Sequence, residues 1–228
     1  MNAIEIRELH KSFGTKEAVK GLNLVIGHHE LFGLLGVNGA GKTTTIRMIC
    51  CLLKPTSGDI LVEGMSVMEN EAQVKKLINL SPQETTVAEG LTVKENLQLM
   101  AGLYGLEPEQ ASSNVERIIK DFNLEEIAGD KAKTLSGGWK RRLSIAMALV
   151  TEPEILFLDE PTLGLDVIAR RELWENIRKL KSSMTIVLTT HYLEEAEALC
   201  DRIAVMSKGK LMALGTAEEL KTQAGCES

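Results

Sequence analysis

The sequence contains no uncharged apolar run of the roughly 18 residues that a membrane-spanning helix needs. Its opening stretch, Met1-Asn2-Ala3-Ile4-Glu5-Ile6-Arg7, lacks the basic start and apolar core of a secretory signal. Membrane contact is therefore expected to come through a partner. Positive charge is not in excess either: 26 Lys and Arg stand against 32 Asp and Glu, a net charge of -6. That balance gives no support to a broad attraction for nucleic acid or anionic lipid. The four cysteines, Cys50, Cys51, Cys200 and Cys226, form no C-x-x-C pair and no zinc-like grouping with the four histidines. They read as buried or free thiols in a reducing compartment. Low-complexity segments, internal repeats and long linkers are also missing.

What is present is an ordinary globular composition, 44% apolar and 25% charged over 228 residues, enough chain for a sizeable core. Alternating patterns at Ile4 to Leu9 and Leu22 to Ile26 predict half-buried strands. The wholly apolar Leu31 to Leu35 predicts a buried strand, followed by a glycine-rich turn and a helix over Thr43 to Leu53. Gly58 to Gly64 encloses a further strand, and Ile78 to Leu80 a short one. From Glu84 to Val150 the pattern turns helical, with a capping box at Thr92-Val93-Lys94-Glu95 and helical composition over Pro108 to Phe122. Alternation then resumes: strand at Ile155 to Leu158, helix at Val167 to Leu180, strand at Thr185 to Thr189. This order implies a mainly parallel sheet with helices on its faces and a helical insertion.

Gly36-Val37-Asn38-Gly39-Ala40-Gly41-Lys42-Thr43 fits G-x-x-x-x-G-K-[ST] in the required context of strand before and helix after. Glycines let successive backbone N-H groups turn toward phosphate oxygens, and the helix start adds its positive dipole end. Lys42 can reach the β and γ phosphates of a nucleotide, and the Thr43 hydroxyl can ligate magnesium. The loop alone does not separate kinases, GTPases, helicases and transport ATPases. Downstream, Ile155-Leu156-Phe157-Leu158-Asp159-Glu160 is an apolar strand ending in paired carboxylates. It suits a division in which Asp159 holds magnesium and Glu160 orients and deprotonates an attacking water. No Asn-Lys-x-Asp guanine-reading motif and no arginine-rich kinase lid accompanies them.

Leu135-Ser136-Gly137-Gly138, followed by Trp139-Lys140-Arg141-Arg142-Leu143, resembles the signature motif of the ABC (ATP-binding cassette) ATPases. Ser136 can cap the helix that follows, and Gly137 and Gly138 expose N-H groups at its positive end. The resemblance covers essentially the whole chain. It places Phe13, Gln83 in Ser81-Pro82-Gln83, Leu163-Gly164-Leu165-Asp166 and His191 in the family's order. It implies an α/β P-loop NTPase of the RecA-like kind, with a mainly parallel core, an N-terminal antiparallel β part and an inserted helical subdomain. Residues 1–228 would form one domain, with the core at about 1–83 and 151–228 and the helical subdomain at about 84–150.

By the same resemblance Phe13 stacks on adenine, and Gly36, Val37, Asn38, Gly39, Ala40, Gly41, Lys42, Thr43 and Thr44 hold the ATP phosphates. Ser136, Gly137 and Gly138 complete the site of a second copy. Thr43, Gln83 and Asp159 belong to the magnesium, and catalysis falls to Glu160, His191, Gln83 and Lys42. Asp166 lies at the subunit interface. The sequence departs from the family pattern at Trp139, where glutamine is usual, and at Cys51 and His28-His29, read as core and turn variation.

The implied function is ATP binding and hydrolysis by the energising subunit of a transporter. It would act as a head-to-tail homodimer on separately encoded transmembrane subunits at the cytoplasmic face of the cell membrane. The segment from about Glu84 to Leu103 would face the membrane partner. The nearest look is of the drug, antibiotic, sodium or nodulation-factor exporter type. A soluble ABC ATPase of DNA repair or translation is the alternative; those usually carry a coiled-coil insertion or two cassettes, which this sequence lacks. A regulator that scarcely hydrolyses is a third class, disfavoured by the intact Asp159-Glu160.

Overall fold

The computed structural model describes residues 2–225. Met1 and Cys226, which bear on the N-terminus and the thiols, lie outside them. Strands β1 (Ile4–Phe13) and β2 (Lys16–Ile26) form an antiparallel hairpin, both longer than the alternation predicts. The reason is a register shift beside Glu8, whose φ is 42°. The irregularity changes which face the following side chains take, so the alternation breaks while the strand continues. β3 (Leu31–Leu35) follows, then helix α1 (Lys42–Ile49), β4 (Ser57–Val62) and a short β5 (Met65–Ser66).

α1 stops four residues before the predicted end. Cys51 takes the left-handed conformation at φ 56°, and the N-H groups of Leu52 and Leu53 both turn back to the Arg47 carbonyl. This is the glycine-favoured way of closing a helix, here carried by a cysteine. Helix α2 (Glu71–Leu77) is not predicted by the sequence pattern; it is a single short run before β6 (Ile78–Ser81). The middle block begins later than predicted, because residues 84–91 are irregular. The capping box at Thr92 then opens α3 (Val93–Leu103), with the Glu95 N-H bonded to Thr92 Oγ1 and the Thr92 N-H to Glu95 Oε2. α4 (Pro108–Asp121) and α5 (Gly137–Leu149) complete the block.

The remaining elements are β7 (Ile155–Asp159), α6 (Val167–Leu180), β8 (Thr185–Thr190), α7 (Leu193–Leu199), β9 (Arg202–Ser207), β10 (Lys210–Gly215) and α8 (Ala217–Gly225). Two sheets result among the described residues. One is antiparallel, in the order β2-β1-β4-β5; the other runs β10-β9-β3-β8-β7-β6, parallel throughout except for β10. The central strands are apolar on both faces because both are covered. Leu156 and Leu158 of β7 pack with α3, α4, α5 and α6, while Ile155 and Phe157 pack with α1 and the antiparallel sheet. From Arg141 to Leu149, α5 is buried on every side. It lies between the sheet and the other helices of the block, touching β6 and β7 as well as α3, α4 and α6. No helix among the described residues is long and apolar enough to cross a membrane.

Candidate active site

Parallel pairing aligns the carboxyl ends of four neighbouring strands. Leu35 of β3 lies opposite Thr190 of β8, Thr189 opposite Asp159 of β7, and Leu158 opposite Ser81 of β6. The chain therefore leaves the sheet at one edge toward Gly36, His191, Glu160 and Gln83, the edge at which open α/β sheets bind ligands.

The loop after β3 leaves no room for a side chain at Gly36 or Gly41. A Cβ on Gly36 would stand 2.4 Å from the Met206 carbonyl oxygen, and one on Gly41, at φ 107°, would stand 2.8 Å from that of Ala18. Its fold leaves donors free. Among the described residues no hydrogen bond uses the N-H groups of Gly39, Gly41, Lys42, Thr43 or Thr44, and Gly41 offers no side-chain cap to α1. These orphan donors at a helix start make an anion cradle. Lys42 Nζ, nearly buried, donates to the Gly36 carbonyl at 2.6 Å and lies 3.4 Å from that of Val37 and 3.2 Å from Glu160 Oε1.

Thr43 Oγ1 donates to Asp159 Oδ1 at 3.1 Å, and Thr189 Oγ1 donates to the same oxygen at 2.5 Å. A hydroxyl beside a carboxylate is a hard oxygen donor set of the kind magnesium takes, with substrate phosphates filling the rest of its shell. Glu160 departs from the expected strand-end geometry. β7 ends at Asp159, and Glu160 adopts φ 48°, which turns its side chain to Lys42 and to His191, whose Nδ1 is 2.7 Å from Glu160 Oε2. With the carboxylate ionised, the proton between them resides on Nδ1. The Glu160 N-H is held by Thr189 through both its Oγ1 and its carbonyl oxygen.

Other predicted residues lie further out. The Gln83 side chain is exposed and makes no hydrogen bond among the described residues, although its carbonyl accepts from Arg141. Phe13, 49% exposed, closes β1, with Lys11 Nζ 5.1 Å from the centre of its ring. It belongs to the hairpin whose Ala18 carbonyl abuts Gly41. Ser136 caps α5, accepting from the Trp139 N-H at 3.5 Å. Nothing bonds Ser136, Gly137 or Gly138 to the phosphate loop among the described residues. Asp166 caps α6 by accepting from the N-H groups of Ile168 and Ala169. His29 sits in the turn before β3 at φ 54°, and His28 faces Glu63 at 3.4 Å. Cys50, Cys51 and Cys200 are free thiols. Sequence reading missed Thr189 and Arg141; the first hides in a β-rich run, the second in what looks like a basic surface stretch.

The free amides around Lys42, fed by a buried parallel strand, define the class: a P-loop nucleotide-binding fold. Comparison with known proteins narrows it. Residues 19–163 match the profile of the ABC transporter family. The chain is 42% identical over 221 residues to the probable multidrug ABC transporter ATP-binding protein YbhF of Escherichia coli, covering 96% of this chain and 38% of that protein. It is 40% identical over 223 residues to the linearmycin resistance ATP-binding protein LnrL of Bacillus subtilis, covering 97% and 72%. Among solved structures, cbiO1 of Clostridium perfringens, part of the ABC transporter complex cbiONQ, superposes with a TM-score of 0.90 at 27% identity, covering 99% of this chain and 92% of that one. The chain belongs to the ABC transporter family, and ATP is the nucleotide that this membership assigns to the loop.

Proposed function

We propose that this chain is the ATP-hydrolysing subunit of an exporter-type ABC transporter, one domain with its core at about 1–83 and 151–228 and its helical part at about 84–150. The observation that carries the reading is the pairing of a free amide cradle with Glu160, buried and poised between Lys42 and His191. The loop from Gly36 to Thr44, through its unbonded amides, and the Lys42 ammonium bind the phosphates, and the Phe13 ring stacks on the base. Thr43 and Asp159, with Gln83 brought in from its exposed position, would hold magnesium, which would neutralise phosphate charge. Glu160 takes a proton from water as the water oxygen bonds to the γ-phosphorus and the bond to the β–γ bridging oxygen breaks. His191 fixes the rotamer of that base and reaches the γ-phosphate side of the site.

Ser136, Gly137 and Gly138 act on the nucleotide of a second copy, giving a head-to-tail homodimer with two shared sites. Support comes from the exposed apolar side chains Leu163, Val167 and Ile168 around Asp166, which a second copy would cover. Separately encoded transmembrane subunits dock along about Glu84 to Leu103, a reading supported by the exposed apolar side chains of Leu99 and Leu103. In this reading the protein works at the cytoplasmic face of the cell membrane, held there by its membrane partner. The multidrug and linearmycin-resistance descriptions of its relatives support export over a role in DNA repair or translation.

The test is Glu160→Gln. ATP binding is retained, steady-state hydrolysis falls by about a hundredfold or more, and an ATP-bound dimer accumulates in size-exclusion chromatography. Near-normal phosphate release by that variant would remove Glu160 from the base role.

A further inference from the structure

Arg141 lies five residues beyond Ser136 on α5 and is 3% exposed. Its guanidinium donates solely to main-chain carbonyl oxygens. Nε bonds Pro161 at 2.9 Å, Nη2 bonds Asp159 at 2.8 Å, and Nη1 reaches Gln83 at 3.4 Å and, more closely, Pro82. It forms no ion pair among the described residues, although Asp159, Glu195 and Glu160 are near enough to favour its charge. Burial outweighs them and pulls its pKa down to about 10. A buried cation without a salt-bridge partner is a poor stability device, since well-packed apolar residues often serve as well. Its bonding pattern points elsewhere.

Two of those carbonyls, Asp159 and Pro161, bracket Glu160. Left-handed backbone at a residue other than glycine is strained and persists where the surroundings over-determine it. At Glu160 they do so from both sides: Thr189 holds its N-H, and the Arg141 fork holds the carbonyls before and after it. The remaining arm of the same planar group holds Pro82 and Gln83 at the end of β6. A lysine ammonium has no such fixed fork.

We propose that Arg141 is a positioning residue for the catalytic carboxylate. It keeps Glu160 in its left-handed conformation and locks the Gln83 main chain to it, so that movement of the signature helix α5 shifts both together. The proposal rests on the assignment of Glu160 as base and adds to it a device that no motif records.

The test compares the unaltered full chain with Arg141→Gln, Arg141→Lys, Glu160→Gln and the double variant Arg141→Gln/Glu160→Gln. Mg-ATP hydrolysis is followed at steady state and in single turnover, ATP affinity by titration with a fluorescent analogue, and folding by circular dichroism. Arg141→Gln is expected to lower kcat about a hundredfold, as misplacement of a reacting group by about 1 Å does, with ATP affinity within about threefold. Arg141→Lys recovers part of the rate. In the Glu160→Gln background Arg141→Gln lowers the residual rate no further, because the group it positions is already gone. Equal losses in both backgrounds, or turnover within about twofold of normal in folded Arg141→Gln, overturn the proposal. If Arg141→Gln does not fold, Arg141→Lys decides: unchanged kcat overturns the proposal, and a kcat loss at constant ATP affinity supports it. Unimpaired turnover by Glu160→Gln alone defeats the base assignment and this inference with it, an outcome read from that variant and separate from the Arg141 results.

Discussion

Lys42 Nζ lies 3.2 Å from Glu160 Oε1, and both side chains are nearly buried. The Lys42 ammonium and the Glu160 carboxylate thus hold each other while the Gly36 carbonyl accepts a further Lys42 N–H. On the proposed mechanism, nucleotide binding draws Lys42 from these partners, which would couple phosphate capture to release of the base. The paired state also explains how a cradle of unbonded amides and a buried carboxylate coexist beside one another.

Removing the ammonium tests the first half of that exchange. Lys42→Ala is expected to weaken ATP binding by at least about 2 kcal/mol, the scale of a charge-assisted hydrogen bond and roughly thirtyfold in Kd. Equilibrium dialysis with labelled ATP measures it. An affinity equal to that of the unaltered protein would show that the loop amides suffice.

The ligand-binding edge of the sheet is largely legible in the residues themselves. Leu31 to Leu35 reads as a buried strand because its run is apolar, short and ends in glycine, and Gly36 to Thr43 fits the phosphate-loop pattern in the order strand, loop, helix. Less legible are features set by tertiary packing. The end of α1 depends on Cys51 entering a conformation that favours glycine, and no local pattern announces it. Glu160 reads as a strand residue because β7 is apolar up to its last position; its positive φ comes from Thr189 and Arg141, brought in from other elements. Arg141 itself sits between Lys140 and Arg142, and nothing in that triplet distinguishes the one that bonds the carbonyls around Glu160 from neighbours that pair with Glu89 and Glu172.

The capping box is a local device, and its loss should be local in effect. Thr92→Ala removes the acceptor for the Glu95 N-H and is expected to lower stability by about 1 kcal/mol. Urea unfolding followed by circular dichroism gives the value, with the midpoint shifted and the slope unchanged. A slope change would mean that the helical block has begun to unfold separately from the core.

Burial controls the thiols. Apolar surroundings push Cys50 and Cys200 well above the ordinary thiol range, burial being the leading cause at both. Cys51 is raised less deeply, again chiefly by burial. The thiolate is the reactive form, so at pH 8 alkylation of the native protein should be slow at Cys50 and Cys200 and faster at the partly accessible Cys51. Peptide mapping after timed iodoacetamide treatment tests the order. Prompt labelling of Cys200, whose sulfur packs against Gly33 of β3, would indicate that the central sheet opens on that timescale.

Trp139 offers a test of the proposed dimer. Its indole replaces the usual glutamine at the start of α5, half-buried and stacked under Arg142 at 4.4 Å, with Arg142 held by Glu172 at 2.6 Å. The other tryptophan, Trp174, is already enclosed and donates to Glu195. A second copy docking its phosphate loop on Ser136 would remove water from Trp139 and leave Trp174 unchanged. Adding Mg-ATP to the Glu160→Gln protein should therefore shift tryptophan emission to shorter wavelength, and Trp139→Phe should abolish the shift. Persistence of the shift in Trp139→Phe would locate it at Trp174, inside a single copy. The signature surface would then not be where the copies meet.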